Sequence, residues 1–277
     1  MTSRADVLYL SHGGGPLPLL GDPGHRDLVE GLQAMATQMP TPAAILVISA
    51  HWEESAPTVT TGAAPALIYD YYGFPPESYE ITYPCPGHPA LATAIHQALV
   101  AAGLPAQQDA ERGFDHGLFV PLKLMYPQAN IPCVQLSLLD SLDPQAHLAM
   151  GRALQALDMP GLLVIGSGFS FHNMRAFFTP ETAEIRAANQ AFEAWLKNTC
   201  SDPSLTESAR QHRLAHWAEA PHARFCHPRE EHLLPLHVCQ GLAGRACDRH
   251  VSMTVLGKQA SLMYWQGASN AQADGGY

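Results

Sequence analysis

Apolar residues in this chain gather in short unbroken runs that stop at histidines. Ala44-Ile-Leu-Val-Ile48 passes into Ser49-Ala50-His51-Trp52-Glu53, and Val7-Leu8-Tyr9-Leu10 into Ser11-His12 and Gly13-Gly14-Gly15-Pro16. Leu162-Leu-Val-Ile165 passes into Gly166-Ser167-Gly168-Phe169-Ser170-Phe171-His172-Asn173. None of these runs alternates apolar with polar positions, so each predicts a parallel strand covered on both faces. Helical spacing lies between them: Leu28, Leu32 and Met35 within 25–38, then 90–102, 144–157, 182–198 with Phe192 and Trp195, and a more polar stretch at 207–219. Residues 133–138 read as a further strand, and the last strand falls at either 252–256 or 260–264. Strands alternating with helices predict an α/β fold, with a central, mostly parallel sheet between helical layers on both faces. Ligands in such sheets bind outside the carboxyl ends of the strands. His12 and His51 are therefore expected at neighbouring strand ends.

Two stretches break the pattern. Residues 13–23, rich in glycine and proline, predict a loop over the strand ends. The segment holding Asp70, Tyr71, Tyr72, Phe74, Tyr79 and Tyr83 suits the wall of a pocket for a planar ligand. No linker, repeat or charge block divides the chain, so residues 1–277 are expected to form a single catalytic domain.

Composition narrows the function. A net charge of -10, from 15 Lys+Arg against 25 Asp+Glu, excludes the clustered cations of a nucleic-acid surface. No run approaches the roughly 20 apolar residues of a membrane span, and the first residues lack the apolar core of a signal peptide, so the expected compartment is the cytoplasm. The 6 cysteines, without a Cys-x-x-Cys pair, fit buried reduced thiols. The 15 histidines are the compositional clue, because several sit beside apolar strands and glycine turns.

A divalent transition metal held by neutral imidazoles needs three side chains converging on one point, with coordination positions left open for substrate. His12 and His51 at strand ends, with His232 from the polar segment at 227–237, meet that need.

Ser11-His12-Gly13-Gly14-Gly15-Pro16, Ser49-Ala50-His51-Trp52, Phe114-Asp115-His116-Gly117, Gly166-Ser167-Gly168 with His172-Asn173, and Glu231-His232-Leu233-Leu234-Pro235-Leu236 fall in the order and rough spacing of one family. The chain resembles the class III extradiol ring-cleavage dioxygenases, in particular their 4,5-DOPA dioxygenase type. The resemblance implies a metal site at the strand ends. Ferrous iron, Fe(II), is expected for activity, with zinc, Zn(II), as the other ion such a site accepts. It implies His12, His51 and His232 as ligands, His172 as catalytic base or a fourth ligand, and His116 near the dioxygen and substrate. Its substrates are a small aromatic diol and O2, with a muconic semialdehyde as product. One branch of the family uses a carboxylate as third ligand. Glu230 and Glu231 lie beside His232 here, and a ligating glutamate would move His232 back; the Glu-His-x-Leu-Pro-Leu frame aligns on His232.

Other classes share parts of this pattern. His12-Gly13-Gly14-Gly15 resembles the oxyanion loop of some esterases, yet that hydrolase reading lacks the Gly-x-Ser-x-Gly elbow, and a zinc-dependent hydrolase stands as an alternative. A non-catalytic metal-binding or signalling protein on the same fold is the other alternative. Small homo-oligomers are common among soluble enzymes, and the sequence is compatible with one. His212 and His216, one helical turn apart, read as a solvated face. His25, His88, His96, His147, His222, His227, His237 and His250 carry no assigned role.

Overall fold

The run at 44–48 becomes the centre of an eight-stranded sheet in the computed structural model, which describes residues 5–267. The strands are β1 (Asp6–Ser11), β2 (Ala44–Glu54), β3 (Thr58–Thr60), β4 (Gln107–Asp109), β5 (Cys133–Leu139), β6 (Leu162–Gly168), β7 (Arg249–Val255) and β8 (Lys258–Trp265). Their order across the sheet is β4-β3-β5-β2-β6-β1-β8-β7. The heart, β5-β2-β6-β1, is wholly parallel. Antiparallel pairing enters only where β3 meets β5 and where β8 joins β1 and β7.

The helices are α1 (Arg26–Gln38), α2 (Pro89–Ala101), α3 (His116–Met125), α4 (Pro144–Leu154), α5 (Met174–Phe177), α6 (Ala183–Ser201), α7 (Glu207–Ala215), α8 (Ala223–Cys226) and α9 (Leu234–Ala243). They cover both faces, as the unbroken apolar strands require. Ile45 and Val47 of β2 join one core with Leu28 and Leu32 of α1, Phe119 of α3 and Phe192 of α6. Ala44, Leu46 and Ile48 point the other way, into a core with Ile95 of α2, Leu154 of α4 and Val238 of α9. Every residue from Ala44 to Ile48 is fully buried, and each large aliphatic side chain among them contributes about 1.5–3 kcal/mol by leaving water.

Two expectations need correction. β1 and β2 are not neighbours, because β6 lies between them and pairs with both. The β1-α1-β2 connection skips one position, which a later strand fills; the crossover pattern shows that two strands are parallel but not that they touch. The chain also does not end on one strand. Residues 252–255 and 260–264 belong to the two arms of a β7–β8 hairpin, in which Val255 faces Lys258 across a two-residue turn that takes in Leu256. Both turn residues, Leu256 and Gly257, have positive φ, the twist that short hairpins favour. The glycine-rich loop at 13–23 carries two 3-10 turns, Leu17–Leu20 and Pro23–His25, and the aromatic segment a third at Pro76–Tyr79.

Candidate active site

The carboxyl ends of β1, β2 and β6 bring together histidines from five separate segments. His12 follows β1, His51 lies near the end of β2, His116 opens α3, His172 follows β6, and His232 precedes α9. Ring centroids lie 4.9 Å apart for His12 and His51, 5.3 Å for His12 and His232, and 4.9 Å for His51 and His232. His116 approaches His51 to 3.9 Å, and His172 stacks on His232 at 3.4 Å. All five sequence-predicted residues are thus in one cluster.

Their outer nitrogens are tied down. Ser167 of β6 donates its hydroxyl to the Gly117 carbonyl at 2.5 Å, so it can only accept from Nδ1–H of His12 at 3.0 Å. That fixes the His12 tautomer and leaves Nε2 with a bare lone pair, 3.1 Å from Nε2 of His51. Two nitrogens each about 2.0–2.1 Å from one ion lie roughly 3–3.4 Å apart. Asp70 accepts from both Nδ1 and the backbone N–H of His116, at 2.8 and 3.0 Å, and its other oxygen is 3.7 Å from Nδ1 of His51. Glu231 Oε1 accepts from Nδ1 of His232 at 2.9 Å and faces Nδ1 of His172 at 3.1 Å.

Burial sets the charge of His12, His51 and His232. It pushes His12 and His51 well below the usual histidine range, with the neighbouring imidazoles acting in the same direction. Burial and His172 bring His232 down to about 3, against the opposing pull of Glu231. For Glu231, burial works upwards, but the N–H groups of the neighbouring imidazoles prevail and hold the carboxyl far below its usual range. Neutral imidazoles with converging lone pairs are the donor set a borderline divalent ion takes.

Donor atoms of His12, His51 and His116 all lie within 4.8 Å of one another, as do those of His172, Glu231 and His232. The second group is better explained as a carboxylate oxygen bonded to Nδ1 of His232, with Nδ1 of His172 3.1 Å away, than as a cation site. Glu231 is therefore a partner of His232, which the alternative of a ligating glutamate did not foresee.

Small residues make the convergence feasible. A Cβ on Gly168 would strike the His232 carbonyl, and one on Gly166 would come within 2.6 Å of the Pro235 carbonyl. Glycine at both positions lets the His232 segment lie on β6, where the Phe169 N–H bonds the His232 carbonyl at 2.9 Å. Fully buried Asp115 accepts from Ser49 Oγ at 2.7 Å and from the Gly117 N–H at 3.0 Å, locking the His51 strand to the start of α3.

A model of the catalytic LigB subunit of aromatic ring-opening dioxygenase matches residues 7–263. The chain belongs to the LigB family. It is 41% identical to dioxygenase tasH of Hapsidospora irregularis, over 95% of this chain and 86% of the relative. It is 37% identical to the 4,5-DOPA dioxygenase extradiol of Beta vulgaris, over 86% and 87% of the two chains. It is 36% identical to the Escherichia coli protein of that name, over 85% and 84%. The crystal structure of an uncharacterized protein from Escherichia coli K12 superposes with a TM-score of 0.75 at 29% identity, covering 95% of this chain and all of that one. This LigB chain is a metal-dependent, ring-cleaving dioxygenase of the extradiol type, acting on an aromatic substrate with O2. The hydrolase and signalling readings are not favoured. Among the described residues no helix is long and apolar enough to cross a membrane.

Several residues in this LigB site had no role in the sequence reading. Asp70 stood there only as part of an aromatic wall, and Ser167 only as part of a glycine motif. His25 had none; it accepts from the Gly14 N–H at 2.9 Å and bonds Asp22 at 2.7 Å, holding the turn after His12. Asp22 is three residues before it, a spacing that could have flagged the pair. Arg229 is bound to Glu53 by two 2.6 Å bonds.

Proposed function

We propose that His12, His51 and His232 hold a divalent ion, Fe(II) in the active enzyme, and that the protein opens a catechol ring beside its hydroxyls to give a muconic semialdehyde. The observation that carries this reading is the 3.1 Å approach of the His12 and His51 Nε2 atoms, with the His12 proton confined to Nδ1 by Ser167. Glu231 occupies Nδ1 of His232, so Nε2 is its free nitrogen as well. Iron(II), when bound, supplies the electron exchange between diol and dioxygen that zinc cannot. His172 presents a free Nε2 from a ring that is 21% exposed, placed to take a proton from a substrate hydroxyl. His116, its Nδ1 held by Asp70, directs Nε2 beside His51 to bond a substrate hydroxyl or dioxygen. The relatives named for 4,5-DOPA support a catechol bearing a side chain as the substrate class.

A second ligand set, His12, His51 and His116, is favoured by the mutual 4.8 Å proximity of their donor atoms. Metal content of the alanine variants separates the two, since only a true ligand is needed to retain the ion.

The test is oxygen uptake by protein reconstituted anaerobically with iron(II) and offered a panel of catechols, with the visible spectrum followed for a yellow semialdehyde. Uptake with a new yellow band, lost in His12→Ala and His51→Ala, is the expected result. Stoichiometric iron with no uptake on any catechol would remove these substrates from consideration.

A further inference from the structure

Glu231 is built into this centre more firmly than a carboxylate beside a histidine needs to be. Its Oε1 serves two imidazoles at once, at 2.9 and 3.1 Å. Its Oε2 is buried, makes no hydrogen bond, and has the Arg229 guanidinium 3.4 Å away. Arg229 cannot swing freely, because Glu53 holds it with two parallel bonds of 2.6 Å. Glu53 stands two residues beyond His51 on β2, so the chain Glu53, Arg229, Glu231 ties the strand end bearing His51 to the stacked pair His172 and His232. A neutral imidazole is free to rotate and to move its proton between nitrogens. One oxygen accepting from Nδ1–H of His232, with Nδ1 of His172 3.1 Å away, restricts that freedom in both rings.

We infer that Glu231 is the positioning residue of this site, holding His172 and His232 as Nδ1–H tautomers with Nε2 turned inward, and that Arg229, anchored on Glu53, holds Glu231. The functional consequence rests on the metal reading above. Arg229 is on this account part of the scaffold and not an anchor for a substrate carboxylate, since Glu53 and Glu231 already engage its guanidinium.

The experiment uses zinc-loaded protein labelled with 15N at histidine. Long-range proton–nitrogen spectra report each tautomer, and competition with a chelator reports zinc affinity. Glu231→Leu keeps the side-chain volume and removes the acceptor. His172 is expected to leave the single Nδ1–H form, and the zinc Kd to rise about 10- to 100-fold. Glu231→Gln, which retains a carbonyl acceptor, restores part of both, whereas a purely structural role would lower Tm without changing tautomers. Glu231→Leu that keeps both Nδ1–H forms and binds zinc as tightly as wild type overturns the inference. If that variant does not fold, unchanged tautomers and affinity in Glu231→Gln and Arg229→Met overturn it equally. Wild type that takes up no divalent ion overturns the metal reading instead, and the tautomers of the ion-free protein still decide for or against Glu231.

Discussion

Ser167→Ala removes one hydroxyl and leaves two buried groups without partners, Nδ1–H of His12 and the carbonyl of Gly117. Ser167 and His12 are 0% and 1% exposed, so water cannot replace the lost bonds. Each unsatisfied buried group costs about 1–3 kcal/mol, roughly 2–6 kcal/mol together. At about 2–4 °C per kcal/mol for a large domain, Tm should fall by roughly 5–20 °C. Function should suffer by a second route. Freed from Ser167, His12 can carry its proton on Nε2 and donate it to Nε2 of His51, 3.1 Å away. An incoming ion must first reverse that arrangement, so its Kd should rise about 10- to 100-fold, the usual range for losing the partner of a metal-bound histidine. Calorimetric melting gives the first quantity and zinc–chelator competition the second. A variant that melts lower but binds zinc with wild-type affinity would refute the claim that Ser167 sets the His12 tautomer.

Three further outcomes follow from the same geometry. His116→Ala should keep stoichiometric iron while kcat falls about 10²- to 10⁴-fold, and His232→Ala should lose the ion; the reverse pattern in a metal assay would assign His116 as the ligand. Gly168→Ala drives a methyl into the His232 carbonyl and should cost about 1–3 kcal/mol with loss of metal, while an unperturbed urea midpoint would show that the His232 segment can yield. Glu193 is fully buried on α6, and burial outweighs its Ser170 and Ser261 hydrogen bonds to raise its pKa from 4.5 to about 7. The folded pKa exceeds the unfolded one, so its contribution is complete below about pH 4.5 and is lost as pH rises through about 7, a loss of about 3 kcal/mol. Urea denaturation at pH 5 and pH 8 should show most of that gap in wild type and a smaller difference in Glu193→Gln; equal differences would remove Glu193 as the cause.

Strand existence was legible because a buried parallel strand needs apolar residues on both faces, and 7–10, 44–48 and 162–165 carry them without interruption. Strand order was not, since nothing in β1 or β2 encodes that β6 will lie between them. The last hairpin was hidden because its turn is Leu256-Gly257 rather than an Asn-Gly or Asp-Gly pair, and β3 and β4 are too short to show a period. His12, His51 and His172 were readable through their repeated setting after apolar runs, whereas His116 and His232 sit in a turn and a polar segment that lack that setting. Their partners were not: Asp70 is 46 positions from His116 and lies in an irregular aromatic segment, where a single carboxylate has no pattern of its own.

The division of labour among these residues follows from what each element can fix. A strand end or helix start fixes where an imidazole begins, but rotation about the side chain and the site of the proton need a second contact on Nδ1. β1, β2 and α3 place three of the rings, the loop after β6 and the segment before α9 place the other two, and Ser167, Asp70 and Glu231 supply the second contacts. Strands two positions apart are roughly 9–10 Å apart, so His12 and His51 meet only by leaning over β6. That explains why β6 ends in Gly166-Ser167-Gly168: glycines admit the His232 backbone on one face, and the serine directs His12 on the other. Asp70 and Glu231 place two negative charges one hydrogen bond behind the imidazoles. In the proposed reading they offset the charge of a divalent ion without occupying its coordination positions, leaving those for the diol oxygens and O2.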